Sequence, residues 1–267
     1  MLRGIYASAF GMIQNQVDQD TTANNIANST TVGFKQDQII AVPFRDVMLQ
    51  NKSNERFGKP AVQKLGAMPL GVLSDGPYTD FTQGPVITTD NNLDFAINGR
   101  GFFPVEYFDG ENQSVLYTRC GSFQLDAQGN VVSSDGSKLL ARDANTGQIV
   151  PVNVGNGKVT VDSEGNVYVD SVKKYTLSIV DFNDYNDIHK FGKNMYEINN
   201  GSNANPVELG TNSYSIEQGK LEQSNVDMEL ELVNMITNLR RYQANQRVLQ
   251  SIDETLSKTV NEVGSLK

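Results

Sequence analysis

Residues 219–267, GKLEQSNVDMELELVNMITNLRRYQANQRVLQSIDETLSKTVNEVGSLK, form the stretch that decides the fold. This stretch predicts one long helix, because Ser224, Asn225 and Asp227 supply N-cap side chains and no Gly or Pro follows until Gly264. Over residues 225–263 such a helix would run ~58 Å at ~1.5 Å per residue. A rod of that length needs a partner for its apolar face.

Apolar residues in this helix recur alternately three and four positions apart, which is the spacing of a heptad seam. The seam consists of Met228, Leu232, Met235, Leu239, Tyr242, Leu249, Leu256, Val260 and Val263, and it is interrupted at Gln246 and Asp253. A similar alternation near the N-terminus comprises Leu2, Ile5, Ala9, Met12, Ala23 and Ile26, with Gln16 and Gln19 in the polar gap. The spacing predicts either two terminal helices paired as a coiled coil or two surface helices packed on a core.

The part of the chain between these helices has a β pattern. From residue 78 to 218, short runs of Val, Ile, Tyr, Phe and Leu are separated by turn residues, which predicts an antiparallel sheet or a small barrel. The pattern D-x-x-G-N at Asp126 and again at Asp162 predicts an Asp-capped turn with Gly at a positive φ. The fold class is therefore α+β. We divide it into a helix at 1–34, an extended connector at 35–77, a β-rich domain at 78–218 and a helix at 219–267.

Composition excludes several functional classes. The 267 residues carry a formal net charge of -9, and no basic patch indicates a nucleic-acid partner. No apolar run approaches the ~20 residues of a membrane span, and the N-terminus lacks the features of a secretory signal. Composition alone therefore predicts the cytoplasm. The single cysteine, Cys120, excludes an internal disulfide and lies in a predicted strand region, where a small half-buried residue is expected.

Two stretches are candidates for a catalytic or ligand-binding site. Asp181, Asp184 and Asp187 precede the only histidine, His189, which would suit a metal or acid–base site. The favoured interpretation is a solvated turn leaving a strand. The stretch around Arg100, INGRGFF, lacks the third glycine, the Lys-Ser/Thr pair and the helix of a phosphate loop. We predict no enzyme, no cofactor and no metal.

Three asparagines, Asn24, Asn25 and Asn28, lie at the end of the first predicted helix. Their amides can bond backbone groups, which favours a local turn, or they can contact a neighbouring chain. From the residues alone the local turn is the favoured interpretation.

Three long motifs resemble the flagellar rod and hook protein family. They are ANNIANSTTVGFK at 23–35, QGPVITTDNNLDFAINGRGFFPV at 83–105 with YTRCGSFQLDAQGNVVSSDG at 117–136, and the C-terminal stretch from Gly219 to Leu256. The motifs appear in the order of the family and cover both ends of the chain. RRYQANQRVLQSIDETL is more similar to distal than to proximal rod subunits, and Cys120 stands where the family often has a polar residue.

The resemblance implies a structural subunit of the bacterial flagellar basal-body rod. In this family the terminal helices pair as an inner coiled-coil domain, the β-rich segment forms an outer domain, and subunits polymerise helically into a hollow drive shaft. Implied partners are further copies of the chain, other rod subunits, the hook protein and the type III export apparatus, with peptidoglycan or a ring protein around the rod. Export without a cleaved signal places the protein in the cell envelope, outside the cytoplasmic membrane.

We expect two groups of residues to build the assembly interface. The first group comes from the terminal seams: Leu2, Ile5, Met12, Ile26, Leu232, Met235, Leu239, Tyr242, Leu249 and Leu256. The second group comes from the motifs: Asn24, Asn25, Asn28, Gly33, Phe34 and Asn225. The polar seam residues would set register and keep the free subunit soluble, so we expect the isolated termini to be disordered and to become helical on assembly.

One alternative belongs to a different class of function. A secreted or surface-bound β-module with coiled-coil stalks would bind carbohydrate or peptidoglycan. That alternative predicts an aromatic-lined groove on the β-rich domain and ligand binding without polymerisation.

Overall fold

The structure is a computed structural model of the chain. It describes residues 2–43, 46–52, 62–69, 71–110, 112–155, 157–192, 194–199, 205–210 and 213–263, and it describes side chains within 4–43 and 71–262 of those ranges.

One helix precedes all the strands in the sequence, and the other follows them. The helices are α1 (Leu2–Ala27) and α2 (Met228–Lys258), and α2 continues into a π-helical turn at Thr259–Val263. The strands before residue 100 are β1 (Asp37–Pro43), β2 (Asp46–Lys52), β3 (Val62–Pro69), β4 (Val72–Thr79), β5 (Val86–Thr88) and β6 (Phe95–Gly99). The next strands are β7 (Phe103–Phe108), β8 (Gln113–Thr118), β9 (Phe123–Leu125), β10 (Val131–Ser133), β11 (Lys138–Asp143), β12 (Ile149–Pro151), β13 (Val159–Val161), β14 (Asn166–Val169) and β15 (Val172–Leu177). The last are β16 (Val180–Asp181), β17 (Ile188–Phe191), β18 (Met195–Ile198), β19 (Val207–Glu208), β20 (Tyr214–Gln218) and β21 (Lys220–Glu222).

The chain divides into two compact units. Unit 1 contains Met1–Ala27, Asp37–Asp80 and Asp227–Lys267, and unit 2 contains Asn28–Gln36 and Phe81–Val226. Both predicted helices are present, although α2 begins at Met228 and residues before it form β21. Asp227 is the N-cap of α2, because its side chain accepts hydrogen bonds from the backbone amides of Glu229 and Leu230.

In unit 1, α1 packs antiparallel against α2. A Cβ built on Gly4 would lie 3.1 Å from Ile252 Cδ1, and one built on Gly11 would lie 2.8 Å from Asn245 Nδ2. Glycine at these two positions lets the helices approach closely. The same heptad side of α1 continues with further small or polar residues, Ser8, Asn15, Thr22 and Asn25, all of them buried.

The buried face of α2 differs from the predicted seam. It recurs at Glu231, Met235, Asn238, Tyr242, Asn245, Leu249, Ile252 and Leu256, of which Glu231 and Asn238 are fully buried. Four of the nine predicted seam residues, Met235, Tyr242, Leu249 and Leu256, therefore lie on this face. Met228, Leu232, Leu239 and Val260 are exposed, and the side chain of Val263 lies outside the described residues. The pairing face mixes polar and apolar residues, and the glycines opposite leave room for both kinds, Ile252 at Gly4 and Asn245 at Gly11.

A β-ribbon completes unit 1. β1 pairs with β4 and β2 pairs with β3, both antiparallel, and α1 packs on β1 and β4. Asn25 fixes the start of the ribbon, because its Nδ2 donates to the Asp37 carbonyl at 2.8 Å and its Oδ1 accepts from the Asp37 amide at 3.1 Å. The segment predicted as an extended connector thus forms four strands in the structure. Its lack of alternation hid them, since a two-stranded ribbon has no core of its own to demand a buried face.

Unit 2 is built on an antiparallel sheet of eleven strands. Its main path runs β13-β14-β15-β11-β7-β8-β18-β17, with β9, β10 and β12 attached through β10 and β11. The larger core cluster lies on one side of β7 and β8 and includes Phe103, Val105 and Leu116. A smaller aromatic cluster includes Phe102, Tyr117 and Tyr196. The predicted antiparallel β-rich region is confirmed.

Both predicted D-x-x-G-N turns are present in unit 2. The Gly129 amide donates to the Asp126 carbonyl with φ +77 at Gly129, and the Gly165 amide donates to the Asp162 carbonyl with φ +85 at Gly165. Each turn closes a hairpin, β9–β10 and β13–β14. None of the helices in the described part of the chain is long and apolar enough to cross a membrane.

Candidate assembly surfaces

Large apolar side chains are exposed on the outer faces of the two helices of unit 1. On α2 they form a ridge, the α2 ridge, of Leu232, Val233, Ile236 and Leu239, which are 44%, 59%, 53% and 43% exposed. On α1, Tyr6 and Ile13 form a smaller surface, the α1 patch, at 60% and 58% exposure.

The distribution of polarity in unit 1 differs from that of an ordinary helix pair. The buried side chains between the helices are asparagine, serine, threonine and glutamate, the methionine, tyrosine, leucine and isoleucine side chains of the same α2 face are half-buried, and other leucines, isoleucines and valines face outward. Burial of apolar surface contributes about 25 cal/mol per Å², and contiguous exposed apolar surface marks interaction sites. The exposed apolar side chains of the helix pair are therefore candidates for an interaction surface.

A second arrangement lies inside unit 2, where the segment 28–36, the strap, inserts beside β21. Lys35 is 0% exposed and its Nζ donates to Glu222 Oε1 at 2.5 Å and to the Thr82 carbonyl at 2.6 Å. Glu222 Oε1 also accepts from the Gly84 amide at 3.0 Å, and its Oε2 lies 3.3 Å from Arg119 Nη1. Two cations thus share one buried carboxylate, which is the arrangement that satisfies buried charge.

Backbone bonds hold the strap on both sides of Lys35. The Gly33 amide donates to the Glu222 carbonyl at 2.8 Å, and the Gln36 amide donates to Asn225 Oδ1 at 2.8 Å. Gly33 has φ +70, and a Cβ there would lie 2.5 Å from the backbone nitrogen of Cys120, so only glycine fits. Phe34 is buried, with Lys190 Nζ 4.2 Å from its ring centroid. These bonds therefore hold the strap, where the chain first enters unit 2, against β21, close to where the chain leaves it.

Comparison with known proteins gives three matches in chain order. Residues 5–35 match the flagella basal body rod protein family, residues 96–169 match the flagellar hook protein FlgE/F/G D1 domain, and residues 217–262 match the flagellar basal body rod FlgEFG protein C-terminal family.

Individual relatives align along nearly the whole chain. The flagellar basal-body rod protein FlgG of Bacillus subtilis is 32% identical over 98% of this chain and 99% of its own length. FlgG of Buchnera aphidicola subsp. Schizaphis graminum is 31% identical over 97% and 98%. The flagellar basal-body rod protein FlgF of Caulobacter vibrioides is 32% identical over 92% of each chain.

The chain belongs to the flagellar basal-body rod protein family. It is a structural subunit of the rod of the flagellar basal body, and the resemblance to distal rod subunits is confirmed. The rod family is structural, so the protein is not an enzyme. Its place in the basal body also replaces the cytoplasmic location that composition alone predicted.

The seam residues expected at the interface fall into two groups in the rod protein. Ile5, Met12, Ile26, Met235, Tyr242, Leu249 and Leu256 are half-buried, and Leu232 and Leu239 are exposed. The side chain of Leu2 lies outside the described residues. The structure brings Leu232 and Leu239 together on the α2 ridge.

Most of the motif residues are buried or form hydrogen bonds to other residues of the same chain. Asn24 is exposed, whereas Asn25 bonds the start of β1 and Asn28 Oδ1 accepts from Thr31 Oγ1 at 3.3 Å. Asn225 Nδ2 donates to Thr82 Oγ1 at 3.0 Å. Gly33 and Phe34 are buried in unit 2. The Asn28–Thr31 bond fits the local turn expected for the asparagines, whereas Asn25 and Asn225 bond residues 12 and 143 positions away in the same chain.

Sequence reasoning missed the buried charges Lys35, Arg119 and Glu222. Lys35 ends the motif ANNIANSTTVGFK and Glu222 is the fourth residue of GKLEQSN, so both charges lie inside motifs that resemble the family. The sequence signal for this buried ion pair was the presence of opposite charges, Lys35 and Glu222, in motifs near the two ends of the chain.

The acidic stretch before His189 is dispersed in the structure. Asp184 caps a short 3₁₀ helix by accepting from the Asn186 amide at 2.9 Å, while Asp181 accepts from the Tyr185 hydroxyl at 2.8 Å. His189 Nε2 lies 3.7 Å from Glu197 on the neighbouring strand. Within the described ranges, no group of three His, Cys, Asp or Glu side chains is placed to hold a metal ion.

Cys120 is half-buried, as expected, but it follows β8 and lies outside any strand. Burial raises the pKa of the Cys120 thiol, with a further rise from Asp135 and Asp94. A thiol whose pKa is raised is a weak nucleophile at neutral pH.

Unit 2 also carries an open groove with a volume of about 390 Å³. Its walls are Glu106, Tyr107, Phe108, Gln113, Asp135, Gly136, Ser137 and Lys138. Phe108 is 61% exposed at the end of β7. Two of its eight wall residues, Tyr107 and Phe108, are aromatic, and an aromatic-lined groove on the β-rich domain is what the carbohydrate alternative predicted.

Proposed function

We propose that the rod protein polymerises helically through the outer faces of α1 and α2. In this proposal the two helices pair as a coiled coil in an inner domain, and unit 2 lies in an outer domain. The observation that carries the proposal is the exposure of the α2 ridge and the α1 patch, while the most buried side chains between the helices are polar. An apolar surface of this kind is stabilised only when a neighbour covers it.

The polymer would be a hollow tube that transmits torque to the hook and lets exported flagellar proteins pass. Its partners would be further copies of the chain, other rod subunits and the hook protein. The type III export apparatus would deliver the subunit unfolded. The polar pairing face suits this route, because polar contacts add less to the stability of the isolated pair than leucines would.

The proposal includes the domain boundaries predicted from the sequence. Residues 1–34 and 219–267 would supply the inner domain, 35–77 would link it, and 78–218 would form the outer domain. The compact units support the inner assignment for α1 and α2, and they add the ribbon β1–β4 to the helices.

The test compares two matched substitutions in the full chain. Ile236→Glu changes the α2 ridge at 53% exposure, and Ile149→Glu changes unit 2 at 52% exposure. A charge on the ridge would have to be buried on assembly, so we expect Ile236→Glu to raise the concentration needed for assembly at least about tenfold. Sedimentation and electron microscopy measure it. Equal assembly of both variants and the unsubstituted chain would sink the proposal.

The order of the free termini is a separate proposal. We propose that α1 and α2 are largely disordered in a dilute monomer and become helical on assembly, because the exposed apolar ridge then finds cover. Dispersed helical signals from both termini in a monomer spectrum would contradict it.

A second candidate function is contact with peptidoglycan through the groove beside Phe108. Phe108 and Tyr107 supply apolar ring surface, and Glu106, Asp135 and Gln113 supply hydrogen-bonding groups, which is the mixture that small-ligand sites combine. Binding to purified peptidoglycan should fall with Phe108→Ala and persist with Leu125→Ala, an exposed apolar control on β9. Equal retention of both variants would remove this candidate.

A further inference from the structure

The groove of unit 2 lies at the open end of one face of the sheet. The smaller aromatic cluster buries Tyr117 at the other end of that face. Alternation along β8 places Val115 and Gln113 on the same face as Tyr117, and the register sets Glu106 opposite Val115 and Phe108 opposite Gln113. Val115 is 49% exposed and Phe108 is 61% exposed. An apolar strip beside polar side chains is therefore accessible to a ligand.

Two opposite charges line the groove without pairing. β7 and β11 place Glu106 directly opposite Lys138, so their Cβ atoms are about 4.5–5.5 Å apart on one face. Both side chains are half-buried walls of the groove. Among the residues that the structure describes, neither side chain has an ion-pair or hydrogen-bond partner. A carboxylate and an ammonium group are thus both available to one ligand.

These two charges discriminate between classes of ligand. A neutral sugar over them would displace water from both charges and supply no opposite charge in return. A dicarboxylate would suit Lys138 and be repelled by Glu106, and a diamine would have the converse fit. A group that carries an amine and a carboxylate on the same carbon satisfies both side chains with charge-assisted hydrogen bonds. The free end of an α-amino acid is such a group.

The rest of the groove suits the chain that leaves such an end. An alkyl chain can pack on the exposed ring of Phe108, and the Gln113 amide opposite can donate to and accept from a peptide group. Gly136 forms part of the wall without a side chain, and a Cβ built there would meet nothing within 4 Å. This side of the groove therefore stays open for the remainder of the ligand.

We propose that the groove binds the free α-amino acid end of a diamino acid in a peptidoglycan stem peptide. The amine contacts Glu106, the carboxylate contacts Lys138 and the alkyl chain packs on Phe108. A diamino dicarboxylic acid joined to the stem through one of its ends keeps the amine and carboxylate of the other end together and charged. This inference rests on the second candidate function and names the part of peptidoglycan that is recognised.

Three probes of matched carbon skeleton test the charge pattern on the full chain. Diaminopimelic acid carries two α-amino acid ends, pimelic acid lacks the amines, and cadaverine lacks the carboxylates. Titration calorimetry should show binding of diaminopimelic acid at millimolar concentration and at least about fivefold weaker binding of the other two, since each loses one charge-assisted contact. Equal binding of either one, or no binding of diaminopimelic acid, would overturn the proposal.

Substitutions assign the two contacts. Glu106→Gln and Lys138→Met should each weaken the binding of diaminopimelic acid at least about fivefold, because each removes one charged partner. Lys173→Met, at an exposed lysine of β15 in the same sheet, is the control and should leave the affinity unchanged. The exchange Glu106→Lys with Lys138→Glu should restore binding, because the amino acid end can bind turned round. Unchanged affinity in the two single variants would place the ligand elsewhere and contradict the assignment.

Retention on purified peptidoglycan that contains diaminopimelic acid separates this inference from the candidate function. Acetylation of the free amines removes the positive charge and leaves the sugars intact, so retention should fall. Retention that falls with Phe108→Ala and survives acetylation would keep the groove contact and overturn the amino acid inference. If diaminopimelic acid binds and peptidoglycan is not retained, the ligand class stands, and peptidoglycan as its source is overturned together with the candidate function.

Discussion

At the scale of single residues, Lys35 has the most demanding environment in the described part of the chain. Its ammonium is fully buried and depends on the Glu222 carboxylate and the Thr82 carbonyl for compensation. Glu222 in turn depends on Lys35 and Arg119, since it is 1% exposed. Removal of one partner leaves a charge uncompensated in a low-dielectric site.

We expect Lys35→Met to destabilise unit 2 by about 3–5 kcal/mol, the usual cost of breaking a buried ion pair from one side. Urea unfolding followed by tyrosine fluorescence measures the free energy of unfolding. Lys220→Met is the matched control, because Lys220 pairs with Glu217 at 2.8 Å on the surface and exposed pairs contribute about 0–1 kcal/mol. Equal losses in the two variants would contradict the role given to burial.

Asp162 gives the chain a defined response to acid. Burial alone would raise the pKa of Asp162, but hydrogen bonds from Asn166, Glu164 and Tyr168 outweigh it and lower that pKa. The stability that the ionised carboxylate contributes is therefore present above the unfolded-state pKa and is lost as pH falls through the folded-state pKa. We expect the difference in unfolding free energy between the unsubstituted chain and Asp162→Asn to shrink as pH falls from 7 to 3. Chemical denaturation at each pH measures it, and a constant difference would refute the assignment.

At the scale of elements, the sequence predicted the helices and most strands, because their patterns are local. α1 ends at Ala27, inside the predicted helical range 1–34, and strands β6 to β20 lie inside the predicted β-rich range 78–218. The ribbon and the true pairing face of α2 were not predictable in the same way, because both depend on what the element packs against.

The start of α2 offers a prediction at this scale. Asp227→Ala removes the acceptor of the Glu229 and Leu230 amides, so in the assembled protein, where α2 is ordered, we expect a loss of about 1 kcal/mol and faster hydrogen exchange in the first turn. Asp253→Ala, in the middle of the exposed face, is the control and should cost nothing, since alanine is the better helix former. An unchanged exchange rate at Leu230 in Asp227→Ala would show that the cap is dispensable.

At the scale of the whole molecule, the structural role of the rod family requires no catalytic cluster. The assembly role was predictable from long motifs, but the residues that build the surfaces were not, because exposure is a property of the folded chain. Leu232 and Met235 carry the same signal in sequence, yet the structure exposes one and half-buries the other.

Apolar contacts also predict how the polymer responds to temperature. The hydrophobic contribution near room temperature is mainly entropic and weakens on cooling. We expect the concentration needed for assembly to be several-fold higher at 5 °C than at 30 °C. Sedimentation at the two temperatures measures it, and assembly that strengthens in the cold would point to polar contacts as the dominant ones.

The junction of the strap with β21 has a mechanical consequence for unit 2. Its incoming segment and its outgoing strand are bonded to each other at Gly33, Lys35 and Glu222. A force applied between the strap and β21 therefore acts on these bonds and is not transmitted through the eleven-stranded sheet. Hairpins of unit 2 outside this path can lengthen or take up inserted domains while the bonds between the strap and β21 stay the same.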